Sequence, residues 1–136
     1  MPFHIEEAAD ADIKRFSEVE HLAYSAHESL TFHLLFPGPP NPDGGVNART
    51  QRVIEMRNND PTTILLKVVD EATRESMAFA KWNVYDTTEI ARNAPGRPVP
   101  NGPGCNLEAC EAFYGGLVRK KKELMGEKPH LCQLIN

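Results

Sequence analysis

Apolar and polar positions change period several times along this chain, and each change predicts an element boundary. Phe3 and Ile5 alternate with His4 and Glu6, which predicts a short strand with Phe3 and Ile5 inward and His4 exposed. Between residues 10 and 26 the period becomes helical. Ile13, Phe16, Val19, Glu20 and Ala23 share one face, and Asp10 is the expected N-cap. Glu20 falls at the border of that stripe, with its carboxylate expected in water. Residues 27–36 form a dense apolar patch carrying His27 and His33. The run Pro37 to Gly45 ends it, because neither helix nor strand tolerates that composition. A second helix is predicted over 46–59, anchored by Val46, Val53, Ile54 and Met56 and closed by Asp60-Pro61.

Residues 63–70, Thr-Ile-Leu-Leu-Lys-Val-Val-Asp, are nearly all apolar or β-branched and predict a strand buried on both faces. Glu71 to Arg74 is a hairpin-length connection to a partner strand over 75–85. There Ala78, Ala80, Trp82 and Val84 point one way, and Met77, Phe79, Lys81 and Asn83 the other. Trp82 is expected in the core. Lys67 and Lys81 interrupt strands and must reach water, a cross-strand neighbour or an anion. Residues 86–105 read as a long surface loop. A third helix follows, with Asn106 as N-cap and Cys105 and Cys110 at the spacing of a hydrophobic staple. Its stripe is Leu107, Cys110, Tyr114, Leu117, Val118 and Met125. Gly115-Gly116 interrupts it at a cost of about 1 kcal/mol per glycine unless something packs close. Gly126 and Pro129 stop it, and residues 129–136 read as a last strand that needs a partner.

Composition narrows the function classes. The 136 residues carry 15 basic and 19 acidic side chains, a net charge of −4, which gives no general attraction to nucleic acid or anionic lipid. The basic run Arg119 to Lys122 is the wet face of the third helix. No segment has the apolar length to span a bilayer, and Met1 to Glu7 does not read as a signal peptide. Three cysteines without a CxxC pair predict free thiols in a reducing, cytoplasmic setting. His130-x-Cys132 alone does not complete a metal site.

The predicted order β-α-α-β-β-α-β resembles the N-terminal half of the GNAT superfamily of N-acetyltransferases. The local words are similar to those of its fungal members. They are Phe3-x-Ile5, Ala8-Ala9 with Asp12, Leu35-Phe36-Pro37, Asp60-Pro61, Leu66 to Asp70, Ala80-Lys81-Trp82, and Met125-Gly126-x-x-Pro129-His130. The resemblance implies an α+β, α/β-like truncated GNAT fold over residues 1–136. It would be one domain, a mostly antiparallel mixed sheet of about four strands with three helices, and Pro/Gly-rich loops near 37–45 and 86–105. In that family a Gln/Arg-x-x-Gly-x-Gly/Ala loop after the fourth strand holds the pyrophosphate of acetyl-CoA at a helix N-terminus. This sequence has no such motif, so the expectation is no CoA site and no cofactor.

The family binds its acceptor near the first two helices and the central strands. The resemblance therefore directs attention to residues 20–37 and to the strand 75–85. Acid–base candidates are Glu20, His27, Glu28, His33 and Tyr114, since histidine titrates near neutrality. Tyr24, Phe36, Lys81 and Trp82 are the substrate-binding candidates, suited to a natural-product-like small molecule of secondary metabolism. Three functions fit these residues. One is the acceptor-binding half of a split or truncated acyltransferase, paired as a homodimer or with another chain through the 129–136 edge. The second is a small CoA-independent acid–base enzyme. The third is a non-catalytic binding or regulatory subunit.

Overall fold

The computed structural model describes residues 2–25, 30–39 and 41–133. It is a mixed α+β fold with a four-stranded antiparallel sheet and several helices. In chain order the elements are β1 (Phe3–Glu7), α1 (Asp10–Ser25), α2 (Leu30–Leu35), α3 (Val46–Asn59), β2 (Thr63–Asp70), β3 (Ser76–Tyr85), α4 (Thr88–Asn93), α5 (Leu107–Cys110), α6 (Gly116–Met125) and β4 (His130–Gln133). A π-helical turn, Glu111–Gly115, joins α5 to α6 without a break. The chain groups into two compact units. One holds Met1–Tyr24, Asn41–Val84 and Leu131–Asn136, and the other Ser25–Pro40 and Tyr85–His130.

The first unit is built on the sheet, whose strands lie in the order β1-β2-β3-β4. The register sets two kinds of cross-strand row. His4–Val69–Ser76, Glu6–Lys67–Phe79, Leu65–Lys81 and Thr63–Asn83 line one face. Ile5–Val68–Ala78, Glu7–Leu66–Ala80 and Ile64–Trp82 line the other. A bulge between Val68 and Val69 leaves Met77 as the extra residue of β3. The first face carries the core: Ala8, Ile13, Phe16, Val53 and Leu65, with Phe79 and Ile54 packed against them. Phe16 meets Phe79 edge to face at 5.2 Å.

This arrangement inverts the polarity expected from β1. Phe3 and Ile5 are 48% and 69% exposed, while His4 and Glu6 lie on the helix-covered face. Trp82 is only half-buried, and its strand neighbours Lys81 and Asn83 are buried instead. Strand β2 is likewise one-sided: Thr63, Leu65 and Val69 are buried, and Ile64, Leu66 and Val68 are half-buried. The strand predicted over 129–136 does find a partner within the chain, since β4 lies beside β3. Residues 134–136 fall outside the described part.

Local chemistry explains the boundaries. Asp10 is the first residue of α1 rather than its cap. The reaching-back is done by Asp12, whose carboxylate accepts the Ala9 N–H at 2.8 Å while its own N–H bonds to the Ala9 carbonyl at 2.9 Å. Before α3, Asp43 accepts from Gly45 and Asn47 N–H groups, which hold its carboxyl below the usual range. Gly44 has φ +65°, and any Cβ there would enter the His21 ring. The β2–β3 turn forms where predicted. Asp70 caps it from inside, accepting from Ala72 at 2.8 Å, and Arg74 takes φ +60°.

In the second unit, two short helices form in segments for which no helix is predicted. Leu30–Leu35 is helical within the apolar patch, and Thr88–Asn93 is helical within the 86–105 loop, capped by Thr87. The rest of that loop is anchored as well: Gly38 donates to the Gly104 carbonyl at 3.2 Å, and a Cβ on Gly38 would strike the Gly104 backbone. Asn106 caps the third predicted helix as expected, accepting from Ala109 at 3.1 Å. Gly115 is buried at the end of the π-turn, under the ion pair of Glu111 with Arg119 at 2.8 Å. A side chain at 115 would displace that bridge.

Candidate functional site

The helix-covered face of the sheet concentrates the polar chemistry of the first unit in two groups. Lys67 projects from β2 between β1 and α1. Its ammonium lies 2.9 Å from Asp12 Oδ1 and 3.1 Å from Glu6 Oε1. The bond to Asp12 is the main cause raising the Lys67 pKa. Burial opposes it, and Glu6 adds to it. Burial by itself would raise Asp12, but the bonds from Lys67 and the Ala9 N–H, with the Lys67 charge, outweigh it and hold the carboxyl low. Glu6 is held low chiefly by its bond from Lys67, then by that from His4.

The second group is a buried polar knot at the far end of the same face. Asp60, closing α3, turns its Oδ1 toward the Thr62 N–H at 3.0 Å and the Thr62 hydroxyl at 2.6 Å. Its Oδ2 accepts from Asn83 Nδ2 at 3.1 Å. The same amide nitrogen lies 3.1 Å from Thr62 Oγ1 and 3.0 Å from Thr63 Oγ1. Lys81 donates to Asn83 Oδ1 at 3.4 Å. Lys81 is 5% exposed and Asn83 3%. Lys81 is therefore an interior amine beside the Asn83 amide, not a strand-edge residue. The knot ties the end of α3 and the start of β2 to β3. Its signal was present in Asp60-Pro61-Thr62-Thr63, an Asx-type turn sequence. The alternation of Lys81 with Asn83 gave no hint that both point inward.

The other candidates separate. Glu20 is neither free nor in water: Arg49 of α3 clamps it with Nε to Oε2 at 2.8 Å and Nη2 to Oε1 at 3.2 Å. That bidentate pair straps α1 to α3 and occupies both carboxylate oxygens a general base would use. Tyr24 is exposed on α1. Lys81 and Trp82 lie on opposite faces of β3, so they do not line one pocket. His27 and Glu28 lie outside the described residues. His33 is exposed on α2, its ring 6.4 Å from Phe32. Phe36 and Tyr114 do come together, with ring centroids 6.5 Å apart, and the Arg97 guanidinium stacks 4.4 Å above Tyr114. Glu20 and Tyr24 belong to the first unit, and His33, Phe36 and Tyr114 to the second.

The opposite face of the sheet is chemically simple. Its rows carry Ile5, Glu7, Ile64, Leu66, Val68, Ala78, Ala80 and Trp82, and none of its apolar side chains is buried. Phe3 and Ile5 at the β1 edge extend the apolar surface. Among the described residues no three metal-ligating side chains gather, and no helix is long and apolar enough to cross a membrane. No protein-family model, curated protein or solved structure matches this chain.

Proposed function

We propose that this chain is a GNAT-like acceptor-side module that works by association. It does not hold CoA itself, and the apolar face of its sheet is closed by a second polypeptide, in the simplest form a second copy. The observation that carries this reading is the β1 side of that face, where exposed Phe3, Ile5 and Ala78 lie beside half-buried Val68 and Leu66. Monomeric proteins rarely leave a contiguous apolar sheet face to water, and sheets stack readily face to face. The rows Ile5–Val68–Ala78 and Ile64–Trp82 of that face carry no charged side chain, and Glu7 lies at its β1 edge. The outer edge of β4 extends the same contact.

Light scattering over a concentration series tests association. The expected result is a dimer for the wild type and a monomer for Ile5→Lys, which places a charge on the exposed row without touching the core. A wild-type monomer at tens of micromolar would remove the reading. Calorimetric titration with acetyl-CoA tests the other half. No saturable binding is expected, and micromolar affinity would reassign the chain as a CoA-binding protein.

A further inference from the structure

The second unit holds a pair of thiols that the proposed function leaves unused. Cys105 and Cys110 flank the N-cap Asn106 at the N′ and N4 positions, which the staple geometry brings side by side. Cys110 has no exposed surface, and its Sγ donates to the Leu35 carbonyl at 3.5 Å. Cys105 is partly exposed, on a loop whose backbone is fixed by its N–H bond to the Gly102 carbonyl at 3.2 Å. The Asn106 N–H reaches the same Leu35 carbonyl at 2.8 Å, so the whole corner is held from both sides. One thiol is thus partly open to a small reagent, and the other is buried at the paired staple position of the same helix start.

We propose that Cys105 and Cys110 form a modification site, a dithiol that hydrogen peroxide converts to an intrachain disulfide. The Cys105 thiolate attacks one peroxide oxygen. The O–O bond breaks, hydroxide leaves, and Cys105 becomes a sulfenic acid. Cys110 then gives up its proton, and its sulfur attacks the Cys105 sulfur. The S–S bond forms, the S–O bond breaks and water leaves. In total two thiols lose two electrons and one peroxide becomes two waters. Burial pushes the Cys110 thiol up, with the neighbouring Cys105 adding to the shift, so the second step is the slow one. The ring closed is short, and a short loop restrains little chain entropy. The bond therefore serves to trap the sulfenic acid before further oxidation rather than to stabilise the fold.

The test uses the full chain with Cys132→Ser, which removes the one other thiol. After peroxide treatment the protein is denatured, alkylated and digested with trypsin. Arg97 precedes proline and is not cleaved, so both cysteines lie in the peptide from Asn93 to Arg119. That peptide should lose two hydrogens and resist alkylation until reduced. Adding Cys110→Ser should convert the product to a Cys105 sulfenic acid that dimedone captures. Sulfinic acid at Cys105 with Cys110 still alkylatable would overturn the proposal. So would a failure of dimedone to label the Cys110→Ser variant while circular dichroism shows it folded.

Discussion

Replacing Lys67 with methionine keeps the packing of the aliphatic stem and removes the charge shared by Asp12 and Glu6. The Lys67 and Asp12 side chains are 15% and 22% exposed, so their bond is sheltered and the loss is felt. A hydrogen bond to a charged partner in such a setting contributes about 1.5–3 kcal/mol. Glu6 is 41% exposed and screened, and is left out of the sum. The expected loss near neutral pH is about 2 kcal/mol, or a Tm lower by about 7 °C for a chain of this length. The pH dependence is the sharper signature. Asp12 is held below its ordinary range, so its contribution is complete above the unfolded-chain value of about 4 and is lost as pH falls through the folded one. Lys67 is held above 10.5, so its contribution is complete below that value and is lost as pH rises through the raised one. Wild type and Lys67→Met should therefore differ most between about pH 5 and pH 10 and converge outside that window. Urea unfolding from pH 3 to pH 8 measures the acid side. A gap that stays constant through pH 3, or a gap below about 0.5 kcal/mol at pH 7, would refute the coupling.

Asn83→Leu should destabilise by about 2–4 kcal/mol in urea unfolding, because it strips Asp60 Oδ2 of its buried donor. A cost under about 1 kcal/mol would mean that the knot is not what ties α3 and β2 to β3. Gly44→Ala should lower stability by about 1–2 kcal/mol, from the positive φ together with the His21 ring in the path of the new Cβ. Adding His21→Ala should recover only the steric part. Gly96→Ala, where nothing lies within 4 Å, should be neutral to slightly stabilising in the same thermal melt.

Much of the local structure was legible. Helices over 46–59 and after Asn106, the 63–70 strand and its hairpin partner all follow from period, caps and breakers, which are short-range. Leu30–Leu35, in the apolar patch given no element, and Thr88–Asn93, in the segment read as loop, are helices of six residues each, too short to show a period. The candidate residues were harder. Glu20 reads as an unusual carboxylate in an apolar stripe, yet nothing in the sequence names Arg49, twenty-nine positions on, as its partner. Lys81 reads as a strand interruption that must reach water, a cross-strand neighbour or an anion, and Asn83 only as its neighbour on one face, yet both are among the most buried side chains of the sheet.

The sequence by itself determined most of the strands and the longer helices, and that β1 has one polar and one apolar face. Only the tertiary structure decided which face turns inward. Alternation records that two faces differ, but burial depends on what each face meets. Here α1 and α3 supply Asp12, Asp60 and the core residues Ile13, Phe16 and Val53 to the polar side. That satisfies Lys67 and Asn83 in the interior and leaves Phe3, Ile5 and their row on the surface.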